Sequence, residues 1–266
     1  MKISEELKKF LNKEEIKKLI AKNDFKQVYE ELQNYAQKTF AYWQKGISEL
    51  TEILYSADID PLKYIDEIPN YFLYNSNIKN FTIQNNIKKI GNYAFCGCDN
   101  LTSIKIPDSV TNIEYGAFCG CGSLAGVTIP DTVSSIGVDA FYNCSGLTSI
   151  TMSNSVKNIE SGAFYGCTSL TSITIPDSVT SVGGYAFGYC SSLTGVTLGN
   201  SVTKIEGYAF EYCSRLTSIT IPDSVTNIGN YAFDGCKNLK ITCHSERVKE
   251  LIINSGFKNE DKIEVI

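Results

Sequence analysis

Thiols supply most of the reactive chemistry in this chain: ten cysteines stand beside a single histidine, His244. Cys96-Gly97-Cys98 and Cys119-Gly120-Cys121 form two matching triplets. Together they offer the four sulfurs of a structural zinc site, which must converge tetrahedrally. Cys98 and Cys121, however, belong to a longer series with Cys144, Cys167, Cys190, Cys213 and Cys236. One cysteine at a fixed phase marks a small buried hydrophobe. Cys96 and Cys119 sit two residues earlier with no evident shared centre, so no metal ligands are assigned. A side-by-side column also lacks the facing Cβ vectors that a disulfide needs. Free, mostly buried thiols are expected.

Catalysis finds little to work with. A Ser-His-Asp or Cys-His arrangement would have to use His244, whose neighbour Cys243 is only next in the chain. Glu114, Glu160 and Glu206 recur in alternate repeats, with Gly137, Gly183 and Gly229 between them. Two repeats span roughly 9–10 Å, wider than the ~5 Å of a retaining glycosidase pair and marginal for an inverting one. A solvated edge is the better reading. No Gly-rich phosphate loop, H-E-x-x-H or EF-hand pattern occurs. No catalytic residue and no cofactor is assigned. A concealed site would lie where the N-terminal segment meets the repeats, around Trp43, Asp58, Asp60 and Tyr64.

The elements that position these groups follow from one interval. Phe72, Phe95, Phe118, Phe141, Phe164, Phe187, Phe210 and Phe233 are each 23 residues apart. Around them recurs L-T-S-I-x-I-P-D-S-V-T-x-I-x-x-x-A-F-x-G-C, the signature of a solenoid whose rungs cannot fold singly. In the copy that starts at Leu101, Ile104 and Ile106 point inward while Ser103 and Lys105 point out. Pro107-Asp108-Ser109 turns the chain, and Val110 and Ile113 are the next inward pair. Alanine fills the phase from Ala94 to Ala232 because a larger side chain would crowd a narrow interior. The phenylalanine rings should stack as a spine of eight.

The ends differ. Residues 1–67 carry 11 lysines and, through Glu67, 13 acidic residues, in helical periodicity. Phe10, Leu11, Ile16, Leu19 and Ile20 mark one helical stretch; Phe25, Val28, Tyr29, Leu32 and Tyr35 mark another. Tyr42, Trp43, Ile47, Leu50, Ile53 and Leu54 mark a third that ends before Asp60-Pro61. Asn12, with Glu15 as a capping box, and Asp24 are the expected N-caps. The solenoid is assigned to residues 68–243. Residues 244–266 are read as a closing cap, with a helix from Ser245 to Ile253 and a last strand at Lys262–Ile266.

The phrase I-P-x-S-V-T-x-I-G-x-x-A-F-x-G-C-x-x-L-T-S-I, carried by Ile106 to Thr111 and again by Ile221 to Phe233, resembles the BspA-like class of leucine-rich repeats. The resemblance covers about residues 68–243. It implies an α/β solenoid, right-handed, with a parallel sheet on the concave side, here preceded by a small all-helical cap. It also implies adhesion to host, matrix or cell-surface proteins, since many members are surface proteins. The lack of an export leader in Met1–Ile20 instead implies a cytoplasmic location. No family is apparent for residues 1–67.

The expected binding surface is the concave face. Its candidate residues are Ser103, Lys105, Thr128, Ser149, Thr151, Ser172, Thr174, Thr197, Ser218 and Thr220. They form a flat hydroxyl array suited to a protein or other macromolecule; equally, threonine is simply a good exposed strand residue. Tyr93, Tyr115, Tyr142, Tyr165, Tyr185, Tyr189, Tyr208, Tyr212 and Tyr231 read first as a shield for the convex side and second as contacts. The formal charge of -5, without a basic stripe, argues against nucleic acid. No window approaches 18 consecutive apolar residues, so no membrane insertion is expected. A monomer is expected. A structural spacer whose specificity lies in the helical head is the alternative.

Overall fold

The computed structural model describes residues 5–39 and 43–266. It is a parallel β-solenoid of about nine turns with a helical segment at its front. Each rung contributes two short strands. The first is a three-residue strand such as Ser103–Lys105 or Ser172–Thr174, with its central residue turned inward. The second is a two-residue strand such as Asn112–Ile113. Hydrogen bonding joins the second set into one continuous eight-stranded sheet. The first set is divided into pairs 80–82/103–105 and 126–128/149–151 and a five-stranded run from Ser172 to Val265. All pairings are parallel and adjacent, with Thr128 beside Thr151 and Thr174 beside Thr197.

Inside, seven phenylalanine rings from Phe95 to Phe233 stack face to face at 5.2–5.8 Å, with interplanar angles of 3–12°. The expected eighth member is not in the file. Phe72 meets Phe95 edge-on at 73°, and packs instead among Tyr29, Tyr55 and Phe81. The cause is a one-residue deletion in the first rung. Ile90 pairs with Ile113, an offset of 23, but Ile68 pairs with Ile90, an offset of 22. Leu73 therefore takes the phase of Phe95: Cys98 Sγ donates to the Leu73 carbonyl as Cys121 Sγ donates to that of Phe95. The last rung is shortened in the same way, since Ser218 pairs with Lys240.

The cysteine column has a reason beyond size. Each buried thiol from Cys121 to Cys236 donates to the carbonyl of the phenylalanine one rung earlier, at 3.1–3.3 Å. A side chain that is small, apolar and still a weak donor satisfies both demands.

At the front, α1 (Glu5–Leu11), α2 (Glu14–Ala21), α3 (Phe25–Thr39) and α4 (Trp43–Ser56) precede the first strand. Asp24 caps α3 through the Gln27 amide, as expected. The Asn12–Glu15 capping box does not form, because α2 starts one residue later with Lys13 as a cap that makes no side-chain bond. The expected cluster at Tyr42 and the Trp43 side chain lie outside the described residues. Tyr29 Oη meets Thr51 Oγ1 at 2.8 Å, and Ser76 Oγ donates to Glu52 of α4. The helices thus share one continuous apolar core with the rungs. At the back, α5 (Glu246–Asn254) is capped by Ser245, and residues 263–265 add the final strand on 240–243.

Candidate functional site

The threonine face is built from outward positions of the first strand set. Ser103, Lys105, Thr128, Ser149, Thr151, Ser172, Thr174, Thr197, Ser218 and Thr220 are all exposed. Two classes of hydroxyl share this face. Those at the strand entry are spent on the ladder: Thr148, Thr194 and Thr217 donate to the carbonyls of Ala125, Thr171 and Thr194 one rung earlier. The central hydroxyls of Thr128, Thr151, Thr174, Thr197 and Thr220 make no hydrogen bond among the described residues. Regular strands place these free donor-acceptors in register about 4.8 Å apart. His244 stands exposed at the end of this face, in a shallow recess with Thr197, Asn200, Thr220 and Asp223. Its neighbour Cys243 is buried and donates to the Ser245 carbonyl.

The second edge carries the glutamates. Glu114 pairs with Lys89 at 3.4 Å, and Glu160 accepts from Ser135 Oγ at 3.2 Å. Glu160 and Glu206 border an open polar recess above Gly183, with Lys204 on the same wall. These are solvated, partly paired carboxylates.

Cys96 and Cys119, which showed no common centre in the sequence, are brought onto successive rungs and are both half-buried. A hydrogen bond from Cys96 holds the Cys119 thiol below its ordinary range, while the same contact and burial push Cys96 up. Burial raises the thiols of Cys98, Cys144, Cys167 and Cys190, the last pushed up to about 12. Among the described residues no three histidine, cysteine or acidic side chains converge as metal ligands.

The junction suggested for a concealed site is a packed seam at Asp60. Its carboxylate accepts from Tyr55 Oη, the Leu62 amide and Gln84 Nε2 at 2.9–3.2 Å. Tyr64 is half exposed and packs its ring against Phe25 at 5.5 Å, and Asp58 lies outside this network in a positive-φ turn. A recess between helices and rungs lies elsewhere, between Lys26 and Glu30 of α3 and Glu67–Asn70.

The third side was not legible in the motif. Each rung passes twice through left-handed backbone there. One column runs Tyr93, Gly116, Asp139, Gly162, Tyr185, Tyr208, Tyr231; the next runs Gly97, Gly120, Asn143, Gly166, Tyr189, Tyr212, Gly235, and Tyr71 and Asn75 take the same two phases in the shortened first rung. Glycine, asparagine and aspartate are the residues this conformation favours. Tyrosine is not, and costs roughly 1–2 kcal/mol there. Yet Tyr185 and Tyr208 stack at 4.7 Å and 2°, Tyr208 and Tyr231 stack at 5.4 Å, and Tyr189 and Tyr212 meet tilted at 4.8 Å. Shielding accounts poorly for rings that remain 40–48% exposed at positions 185, 189, 212 and 231. The sequence named these tyrosines as shield or contacts; their left-handed backbone showed there only as tyrosine standing where other rungs keep glycine, asparagine or aspartate.

The sequence pattern described as the BspA type leucine-rich repeat region, in six copies, matches residues 66–194 and 157–266. Three solved structures are similar to this chain. A leucine-rich repeat protein from Eubacterium ventriosum is 32% identical over 60% of this chain and 43% of its own, with a TM-score of 0.57. One from Bacteroides ovatus is 27% identical over 69% and 54%, with a TM-score of 0.53. The leucine-rich repeat protein of T. pallidum is 28% identical over 72% and 88%, with a TM-score of 0.63. The chain spans about half the length of the first two. No curated protein matches it. No helix among the described residues is long and apolar enough to cross a membrane.

Proposed function

The chain belongs to the family of BspA-type leucine-rich repeat proteins, and on that premise we propose that it is a non-enzymatic module that binds a protein partner through its threonine face. The repeat family generally mediates protein–protein interaction or adhesion and serves as a non-enzymatic scaffold. The observation that carries the choice of face is the division of labour among its hydroxyls. Entry threonines are committed to the ladder, whereas the central column from Thr128 to Thr220 is exposed and unbonded. Such a surface offers many equivalent polar contacts and few large anchors. It suits a repetitive or extended partner, for which affinity accumulates across rungs.

The experiment is affinity capture with the intact protein, repeated after replacing Thr151, Thr174 and Thr197 together with lysine. Exposed strand positions tolerate this change, and the folded state should survive. Loss of the captured protein supports the reading. Retention of every partner overturns it.

A further inference from the structure

We propose a second interaction surface, on the tyrosine side of the C-terminal rungs, that docks an extended polypeptide segment bearing arginine or lysine. It is independent of the threonine face and goes beyond the function proposed above.

Three observations carry it. First, the rings are placed at a cost. Tyr185, Tyr189, Tyr208 and Tyr212 hold φ of 52–61° at phases where the rungs between Tyr93 and Tyr185 use glycine, asparagine or aspartate. The rungs without tyrosine fold with the same hydrogen bonds: Gly162 N–H donates to the Gly184 carbonyl as Tyr208 N–H does to that of Asn230. The fold therefore does not require the rings. Second, they form one continuous strip, Tyr185–Tyr208–Tyr231 beside Tyr189–Tyr212, exposed except for the half-buried Tyr208. Tyrosine offers large amphipathic contact area for little conformational entropy.

Third, the strip is charged with one sign. Glu211 and Asp234 occupy equivalent positions on successive rungs, directly beside these tyrosines, and neither has an ion-pair partner among the described residues. No lysine or arginine lies in the stretches 183–190, 206–213 or 229–236 that build the strip. Burial and the nearby Asp234 carboxylate raise the pKa of Glu211. That repulsion would be relieved by a cation. Stacked rings present edges and hydroxyls to solvent, so the aliphatic stem of an arginine lies along them while its guanidinium reaches the carboxylates. The tilt of 37° between Tyr189 and Tyr212 leaves part of a ring face open for the same head group.

The test uses the full chain and a fluorescein-labelled Gly-Arg repeat peptide of ten residues, with a Gly-Glu peptide of equal length as control. Fluorescence anisotropy should show binding of the first and none of the second, weakening as salt rises. The double variant E211Q/D234N should weaken binding about tenfold, corresponding to 1.4 kcal/mol. Tyr185→Gly, Tyr189→Gly and Tyr212→Gly combined should abolish binding and leave the circular-dichroism melting curve in place. The T151K/T174K/T197K variant should bind the peptide as the parent does, which separates the two surfaces. Equal binding of both peptides, unchanged affinity in E211Q/D234N, or unfolding of the triple glycine variant would each overturn the proposal. The last outcome would make the rings part of the fold.

Discussion

The same rungs carry two sets of stacked aromatic rings, and the two obey different rules. Phenylalanines occupy every rung from Phe95 to Phe233 without a gap, fully or almost fully buried on ordinary backbone. Tyrosines on the outer side stack at similar spacing, yet they are exposed or half-buried, sit on left-handed backbone and give way to glycine, asparagine or aspartate in other rungs. The inner file fills volume that must be filled in each turn. The outer file fills nothing, so its presence in some rungs and absence in others records a surface property. Periodicity thus separates what a solenoid needs from what one particular solenoid displays.

The sharpest way to break this contrast is to remove one ring of each kind. Phe164→Ala should cost roughly 3–5 kcal/mol in denaturant unfolding, because it opens a cavity between two rings stacked at 5.4 Å. Cys167→Val keeps the volume but strips the donor from the Phe141 carbonyl, and should cost about 1 kcal/mol. Tyr189→Gly should change stability by well under 1 kcal/mol. It trades ring contacts worth ~0.5–1.5 kcal/mol against relief of a left-handed conformation worth roughly 1–2 kcal/mol. A loss as large as that of Phe164→Ala would erase the distinction between inner and outer files.

Two further measurements sharpen it. Iodoacetamide should modify only Cys96 and Cys119 in the native protein, Cys119 first, and all ten thiols after unfolding, as read by intact mass. Modification of the column at the same rate would mean that the interior opens. Glu211→Gln should raise stability slightly near neutral pH. A carboxyl whose folded pKa is raised destabilises the folded state where it is charged, so the gain should fade as pH falls through the ordinary glutamate range. A gain that persisted in acid would point to packing instead.

The interior was legible in the sequence because each inward phase repeats. The columns of Ile106, Ala117, Phe118 and Cys121 declare themselves by recurrence, and the helix at Glu246–Asn254 by its Ser245 cap and apolar spacing. What was not legible departs from the period or lacks one. Phe72 kept the interval of 23, but a deletion in the same rung moved its backbone out of phase, and residue spacing alone conceals such a shift. The thiol donation from the cysteine column needs a carbonyl from another rung. Glu211 and Asp234 become neighbours only once rungs are stacked. The threonine column was visible as a pattern; the split between committed and free hydroxyls required hydrogen-bond geometry.

The one-residue deletions at the first and last turns lie outside the run from Ile90 to Ile228, where every pairing keeps a 23-residue offset. Length is therefore adjustable without touching either terminus. Excising or duplicating one 23-residue unit within that run should move the two closures nearer or farther by about 4.8 Å, making this architecture a ruler whose markings can be added or erased one at a time.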